Sequence, residues 1–263
     1  MKLKLHIIDA FTNKQFSGNQ AAVILLDEWL ADNVMQAIAS ENNLAETAFV
    51  VCNTAGVYEI RWFPPIKEID FCGHATLASA YVIFLVQNNL ETLSFFAKAV
   101  GTITANKVDT GLIEMAFPNR EPVEITEVPL ALQQGLSLAP VSYLKNQQAY
   151  FAIYENEQQI QQVIPDLEKL KTLAPLDVVI SAPANDYDFS SRYFWPANGG
   201  KEDAVTGSIH AGLAPYWAKQ LNKQDLIAFQ ASQRTGVLYC KVNGNTVLVS
   251  GFCVGYLEGW ITI

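Results

Sequence analysis

Charge is scarce in this 263-residue chain: Asp, Glu, Lys and Arg make up 16% of it, where soluble domains average about 25%. Apolar residues make up 50%, a balance that excludes intrinsic disorder and requires a large buried core. Basic residues are scarcer still, 17 against 26 acidic, for a net charge of −9. That sign excludes nucleic acid or an anionic membrane surface as the main partner. An anionic substrate fits only where local dipoles overcome the global charge. Cysteine is limited to Cys52, Cys72, Cys240 and Cys253, with no CxxC pair, which excludes a zinc ribbon and a disulfide framework. Long apolar runs are lacking as well. The longest, Ala75 to Val86, has 12 residues, too short to span a bilayer.

Cofactor signatures are also missing. No GxGxxG follows the first strand, Gly199-Gly200-Lys201 lacks the spacing of a phosphate loop, and no lysine stands in a context that singles it out for a Schiff base. His6, His74 and His210 show no metal-ligand spacing, so neither a metal nor another cofactor is expected. The opening MKLKLHIIDAF reads as a first strand, not a signal peptide. These features together point to a cytoplasmic protein without a membrane partner. The thin supply of charge further suggests surface buried against a second copy, a homodimer.

What is present is an alternation of strand-like and helix-like segments over a length suited to two domains. Residues 3–10, 21–26, 47–52, 57–63 and 92–117 read as strands, and 28–41 as a helix with Asp27 as its N-cap. The pattern restarts with a short helix near 129–135, strands near 141–155, a helix near 158–171 and strands from 177 onward. The Pro- and Asn-containing segment from Phe117 to Pro122 marks the boundary between residues 1–118 and 119–263, with the last strand free to return to the first half.

The two halves echo each other. Arg61-Trp62-Phe63-Pro64-Pro65 resembles Arg192-Tyr193-Phe194-Trp195-Pro196 at an offset of 131, and each leads through a loop to a glycine opening a small-residue helix. From Pro65 to Gly73 is 8 positions and from Pro196 to Gly207 is 11, so the second loop is longer by three. The first helix is apolar nearly all round and must be surrounded. A sheet rolled about a central helix in each half meets that demand. In the second helix Pro215 leaves the carbonyl of Ala211 without its usual donor, a cost with no evident return at this level.

The two glycine junctions are candidate anion sites, because free N–H groups at a helix start bind carboxylate or phosphate oxygens. The plain alternative is a pair of ordinary glycine turns. His74, in the first turn of its helix, is expected neutral, since the positive end of the dipole disfavours imidazolium. Glu46 opens an apolar strand, and facing inward it would be desolvated, with its pKa raised toward the range useful for moving protons on carbon. A solvated strand-end charge is the alternative. Asp203, four residues before Gly207, either caps its loop or contacts substrate. His6 and His210 read as core residues. Cys72 invites a thiol-base reading, but its partner at the offset of 134 between Gly73 and Gly207 is Thr206, which argues against a two-thiol racemase.

With these residues in place, the chain resembles the phenazine-biosynthesis PhzF-like family of the diaminopimelate-epimerase-like fold. The motifs are Asp9-Ala10-Phe11-Thr12 with Phe16-Ser17-Gly18-Asn19, Ala45-Glu46-Thr47-Ala48-Phe49, Cys72-Gly73-His74-Ala75-Thr76-Leu77 and Asp203-Ala204-Val205-Thr206-Gly207-Ser208. The resemblance implies an α+β fold of two pseudo-symmetric halves, each a mainly antiparallel sheet rolled around a central helix, with the site in the cleft between. It implies a dimeric, cofactor-independent isomerase similar to the enzyme that moves a proton between ring carbons of a dihydro-hydroxyanthranilate. By the same resemblance Glu46 is the acid/base, and His74 and Asp203 position and polarise the substrate. Gly73, Gly207, Ser208 and Asn19 are then the substrate-binding residues, the first three holding its carboxylate by backbone N–H. Departures at Gln20, Pro64, Ala204 and Arg234-Thr235-Gly236 remove no chemical group and leave the small carboxylated substrate unidentified. An epimerase or racemase, and a non-catalytic small-molecule-binding protein, stay open as alternatives.

Overall fold

A computed structural model describes residues 1–53, 56–108 and 110–263; Asp109, within the stretch 92–117 expected as strands, lies outside them. The chain runs β1 (Lys2–Ala10), β2 (Asn19–Leu26), α1 (Asp32–Asn42), β3 (Glu46–Cys52), β4 (Tyr58–Phe63), α2 (Gly73–Val86), β5 (Thr92–Ala97), β6 (Gly101–Lys107) and β7 (Ile113–Pro118). It continues with β8 (Val123–Glu124), α3 (Leu130–Gln134), β9 (Ser142–Lys145), β10 (Ala149–Ile153), α4 (Glu157–Gln162), α5 (Leu167–Lys171), β11 (Asp177–Pro183) and β12 (Phe189–Phe194). After β13 (Glu202–Asp203) come α6 (His210–Leu221), β14 (Asp225–Gln230), β15 (Gly236–Asn243), β16 (Thr246–Gly251) and β17 (Cys253–Thr262). Two units result, one of Met1–Ala116 with Ser250–Ile263, the other of Phe117–Val249.

In the first unit β17 pairs antiparallel with β1, β1 antiparallel with β2, β2 parallel with β3, β3 antiparallel with β4, β4 parallel with β5, and β5 antiparallel with β6. The second unit repeats that series: β8–β9 and β9–β10 antiparallel, β10–β11 parallel, β11–β12 antiparallel, β12–β14 parallel, β14–β15 antiparallel. Register repeats too. Glu46 stands opposite Ala21 and Asp177 opposite Ala149, in parallel pairs of the same kind. Both sheets are mixed but mainly antiparallel.

Each sheet has a helix on either face. In the first unit α2 packs against β1, β2, β3, β6 and β17, which is why Gly73 through Ala80 and Val82 through Phe84 are all buried. Its polar members are satisfied within the helix: the Thr76 hydroxyl donates to Cys72 O at 2.6 Å and that of Ser79 to Ala75 O at 2.7 Å. On the outer face Met35 and Ile38 of α1 close over Leu3, Leu5, Ile24, Phe49 and Phe63. In the second unit α6 contacts β14 and β15, while α3, α4 and α5 cover Tyr154, Val178, Ile180 and Phe194.

The repeated arginine motif is a clasp. Arg61 Nε and Nη2 donate to the Glu68 carboxylate at 2.7 and 2.6 Å, with the guanidinium 5.1 Å from the Phe63 ring. Arg192 does the same to Glu202 at 2.7 and 2.9 Å, 5.0 Å from Phe194. The arginine-to-glutamate spacing is 7 positions in one unit and 10 in the other, the same three-residue difference found in the loops. A bidentate fork holds each loop to its strand.

Local chemistry corrects several boundaries. The first helix starts at Asp32 after Ala31, not at Glu28 after Asp27, because Trp29 and Leu30 turn into the core and Trp29 Nε1 donates to Glu59. The helix expected over 158–171 is two, broken ahead of Pro165, and each begins on a side-chain cap: Asn156 accepts from Gln159 N and Asp166 from Lys169 N. Gly207 does not open a helix either; Gly207 and Ser208 form a turn and α6 starts at His210.

Pro215 has its return. The Ala211 carbonyl that it leaves open accepts the backbone N–H of Arg120 at 3.0 Å, so the broken helix bond anchors the strand connection. Gly212 permits the approach, since a Cβ there would lie 2.8 Å from both Asn146 Nδ2 and Phe151 Cζ. Gly212→Ala is therefore expected to cost about 1–3 kcal/mol by overpacking, read as a lower urea midpoint at unchanged slope.

Candidate active site

In the first unit, four side chains converge from separate elements. Glu46 is the first residue of β3, Asn19 the first of β2, Cys72 the N-cap of α2 and His74 its second residue. All four are buried, Glu46 at 8% and His74 at 5% exposure. Glu46 Oε2 lies 2.8 Å from His74 Nε2, an ion-pair contact short of hydrogen-bond alignment. On the other side of the ring, Asn19 Nδ2 is 3.2 Å and Cys72 Sγ 3.4 Å from Nδ1.

The loop before Asn19 is built to deliver it. Phe11, Phe16 and Gly18 have positive φ, and a Cβ on Gly18 would lie 2.3 Å from Ala10 O, so only glycine fits there. The Phe16 N–H donates to Asp9 Oδ2 at 3.0 Å, bracing the same loop. At the start of α2 the first helical bond runs from Thr76 N to Cys72 O. The Ala75 N–H turns to the Cys72 sulfur, which leaves the N–H groups of Gly73 and His74 as the orphan donors of the helix start.

Electrostatics correct the expected neutral His74. Burial acts to lower its pKa, but the neighbouring Cys72 and Glu46 outweigh it and hold the imidazole well above its usual range. Burial also pushes the Cys72 thiol up to about 11, so at neutral pH the thiol is uncharged and Glu46 is the partner that matters. A carboxylate at 2.8 Å defeats both the helix dipole and desolvation. Asn19 accommodates either state of Nδ1, its amide presenting oxygen or nitrogen to the ring. His74 is thus expected to stay imidazolium past the pH at which a free histidine titrates, as read by NMR, and Glu46→Gln to move that titration down. Its stabilising contribution is full below the unfolded pKa of about 6.5 and is lost as pH rises through the folded value. His210, fully buried with its Nδ1–H donated to Thr206 O at 2.8 Å, is pushed down to about 4 by burial and stays neutral.

Glu46, Cys72 and His74 also form a three-donor group with ligand atoms within 4.8 Å. The thiol and the imidazolium each hold a proton that metal ligation would have to displace.

In the second unit, the turn Asp203–Ile209 is cross-braced. Thr206 donates its hydroxyl to Asp203 Oδ2 at 2.5 Å and its N–H to Gln230 Oε1 at 2.9 Å. Gln230 Nε2 donates to Asp203 O at 3.0 Å, and the Ser232 hydroxyl to Ala204 O at 2.6 Å. Asp203 therefore caps its loop. The carbonyls of Gly207, Ser208 and Ile209 accept the first N–H groups of α6, so their own N–H groups stand at its positive end. His74 and Ser208 occupy equivalent positions in the sequence repeat, one after each glycine.

Sequence reasoning missed Gln148, Asp177, Tyr193 and Gln230. One of these had a signal: the offset of 131 that carries Arg61 to Arg192 also carries Glu46 to Asp177.

Residues 8–259 match the family described as phenazine biosynthesis-like protein. An uncharacterized isomerase of Pseudomonas aeruginosa is 42% identical over 264 residues, covering 100% of both chains. A crystal structure of a phenazine biosynthesis protein of the PhzF family from Enterococcus faecalis superposes with a TM-score of 0.95 at 37% identity, again over 100% of both chains. A hydroxyproline epimerase from Agrobacterium vitis shares the fold alone, with a TM-score of 0.60 at 10% identity over 99% of this chain and 92% of that one. Among the described residues no helix is long and apolar enough to cross a membrane. On the match across its length and the isomerase relative at 42% identity, the chain belongs to the phenazine biosynthesis-like protein family.

Proposed function

We propose that the protein is a cofactor-independent isomerase that moves a proton between carbons of a small carboxylated substrate, with Glu46 as the acid/base. The observation that carries the reading is the buried Glu46–His74 pair at 2.8 Å beside the free N–H groups that open α2. Glu46 removes a C–H proton, the electron pair spreads through the conjugated substrate, and the same carboxylate returns a proton to another carbon of the same face. Atoms and electrons balance without a redox partner. His74, as imidazolium, polarises the substrate and holds the carboxylate side chain in place. Gly73 in the first unit, and Gly207 and Ser208 in the turn that Asp203 orders in the second, are carboxylate-binding residues in this reading, and Asn19 positions His74. Cys72 takes no part, because its thiol holds its proton at neutral pH.

The P. aeruginosa relative's name, an uncharacterized isomerase, supports the reaction class. Apolar side chains on β17, among them Trp260 at 67% and Tyr256 at 48% exposure, support a homodimer as the working state. The test is proton NMR of the protein with 2,3-dihydro-3-hydroxyanthranilate, which should show a shifted double bond with no change in mass. Binding without turnover would instead identify a small-molecule-binding protein that keeps the pocket alone.

A further inference from the structure

Asp177 holds in the second unit the place that Glu46 holds in the first: first residue of its strand, opposite an alanine in a parallel pair, at an offset of 131. It does not meet the residue that follows the glycine, as Glu46 meets His74. Asp177 is instead joined to Ser208 by two intermediaries. The Tyr193 hydroxyl donates to Asp177 Oδ2 at 2.6 Å, and Gln148 Nε2 donates to the Tyr193 oxygen at 3.3 Å and to Ser208 Oγ at 2.9 Å.

The polarity of this chain is fixed from one end. Asp177 Oδ1 accepts from Asn198 Nδ2 at 2.8 Å while Oδ2 accepts from Tyr193, so both oxygens act as acceptors. The phenol, 4% exposed and held protonated by burial and by Asp177, spends its hydrogen on Asp177 and offers only a lone pair. The Gln148 group facing it must therefore be the NH2, which settles the amide orientation. That NH2 also faces Ser208, whose oxygen becomes an acceptor. The Ser208 hydrogen must then point away from Gln148. Gln148 Oε1 is left buried without a partner, a cost that the orientation imposes.

We propose that Gln148, locked by Tyr193 and Asp177, is a positioning residue that presents the Ser208 hydroxyl as a hydrogen-bond donor to the substrate carboxylate. The inference rests on the reading of Ser208 as a carboxylate-binding residue. The duplicated acid has thus divided its roles: in one unit it works on a proton, in the other it orients a donor.

Calorimetry with anthranilate, and with the uncharged anthranilamide as control, tests this. Gln148→Glu replaces two donors by acceptors at nearly constant shape and turns the Ser208 hydrogen inward. Anthranilate affinity is expected to fall about tenfold or more, with anthranilamide changed less than about twofold. In a Ser208→Ala background the same change should cost less than about twofold, because the effect travels through that hydroxyl. A full loss persisting without Ser208 means direct repulsion and overturns the proposal, as does unaltered affinity in Gln148→Glu. If Gln148→Glu fails to fold, Gln148→Met serves in the same cycle, with about a threefold loss expected that vanishes in Ser208→Ala. Failure of the wild type to bind anthranilate overturns the carboxylate reading of the turn itself, and this inference with it.

Discussion

Glu46→Gln is expected to lower the isomerisation rate by about 10²–10⁴, the range supplied by a positioned acid/base, while the protein stays folded. Gln keeps the shape and can still bond, but it has no lone pair basic enough to take a proton from carbon. Stability should change little, because the loss of Glu46 does not strand a buried cation. Without the carboxylate, burial lowers the His74 pKa and the ring sheds its proton. Circular dichroism and thermal melting check the fold, and the rate is read by NMR. A rate reduced by less than tenfold would remove Glu46 from the chemistry.

Leu77→Ala is expected to destabilise the protein by about 3–5 kcal/mol, the range of leucine truncations in well-packed cores. Leu77 is 0% exposed in the middle of α2, and its environment is sheet on several sides. Little collapse can fill the space, and a Cβ on Gly251 would already lie 3.2 Å from its Cδ2. Leu85, in the same helix but 58% exposed, should lose under about 0.5 kcal/mol on the same truncation. Guanidinium melts of the two variants side by side measure the difference. Equal effects would mean that α2 lies on a surface.

What could be read from the residues follows the range of the interactions. Strands β1, β3 and β4 follow the expected runs within one residue, because alternation and β-branched side chains are local signals. The all-round apolar character of α2 announced a surrounded helix, and the arginine motif announced a repeated topology. The misses have longer reach. Trp29 draws its segment into the core and delays α1, which no cap residue at Asp27 could overrule. Pro215 looked costly until Arg120, 95 positions earlier, supplied a donor for the freed carbonyl. The charge of His74 depends on a carboxylate 28 positions away, and helix position alone predicts the opposite state. The Gln148–Tyr193–Asp177 chain joins two strands and the turn between β9 and β10, and no spacing rule brings such residues together. The repeat marks Asp177 alone, at the offset of 131 from Glu46.

The central claim is that one carboxylate, Glu46, carries a proton between carbons. Wild type and Glu46→Gln incubated with 2,3-dihydro-3-hydroxyanthranilate in D2O test it most directly, by the mass and NMR position of deuterium in the product. With the protonated Glu46 exchanging its hydrogen with solvent between the two steps, the account predicts solvent deuterium at a single new carbon position with the wild type and none above background with Glu46→Gln. Equal deuterium incorporation by both proteins would contradict it.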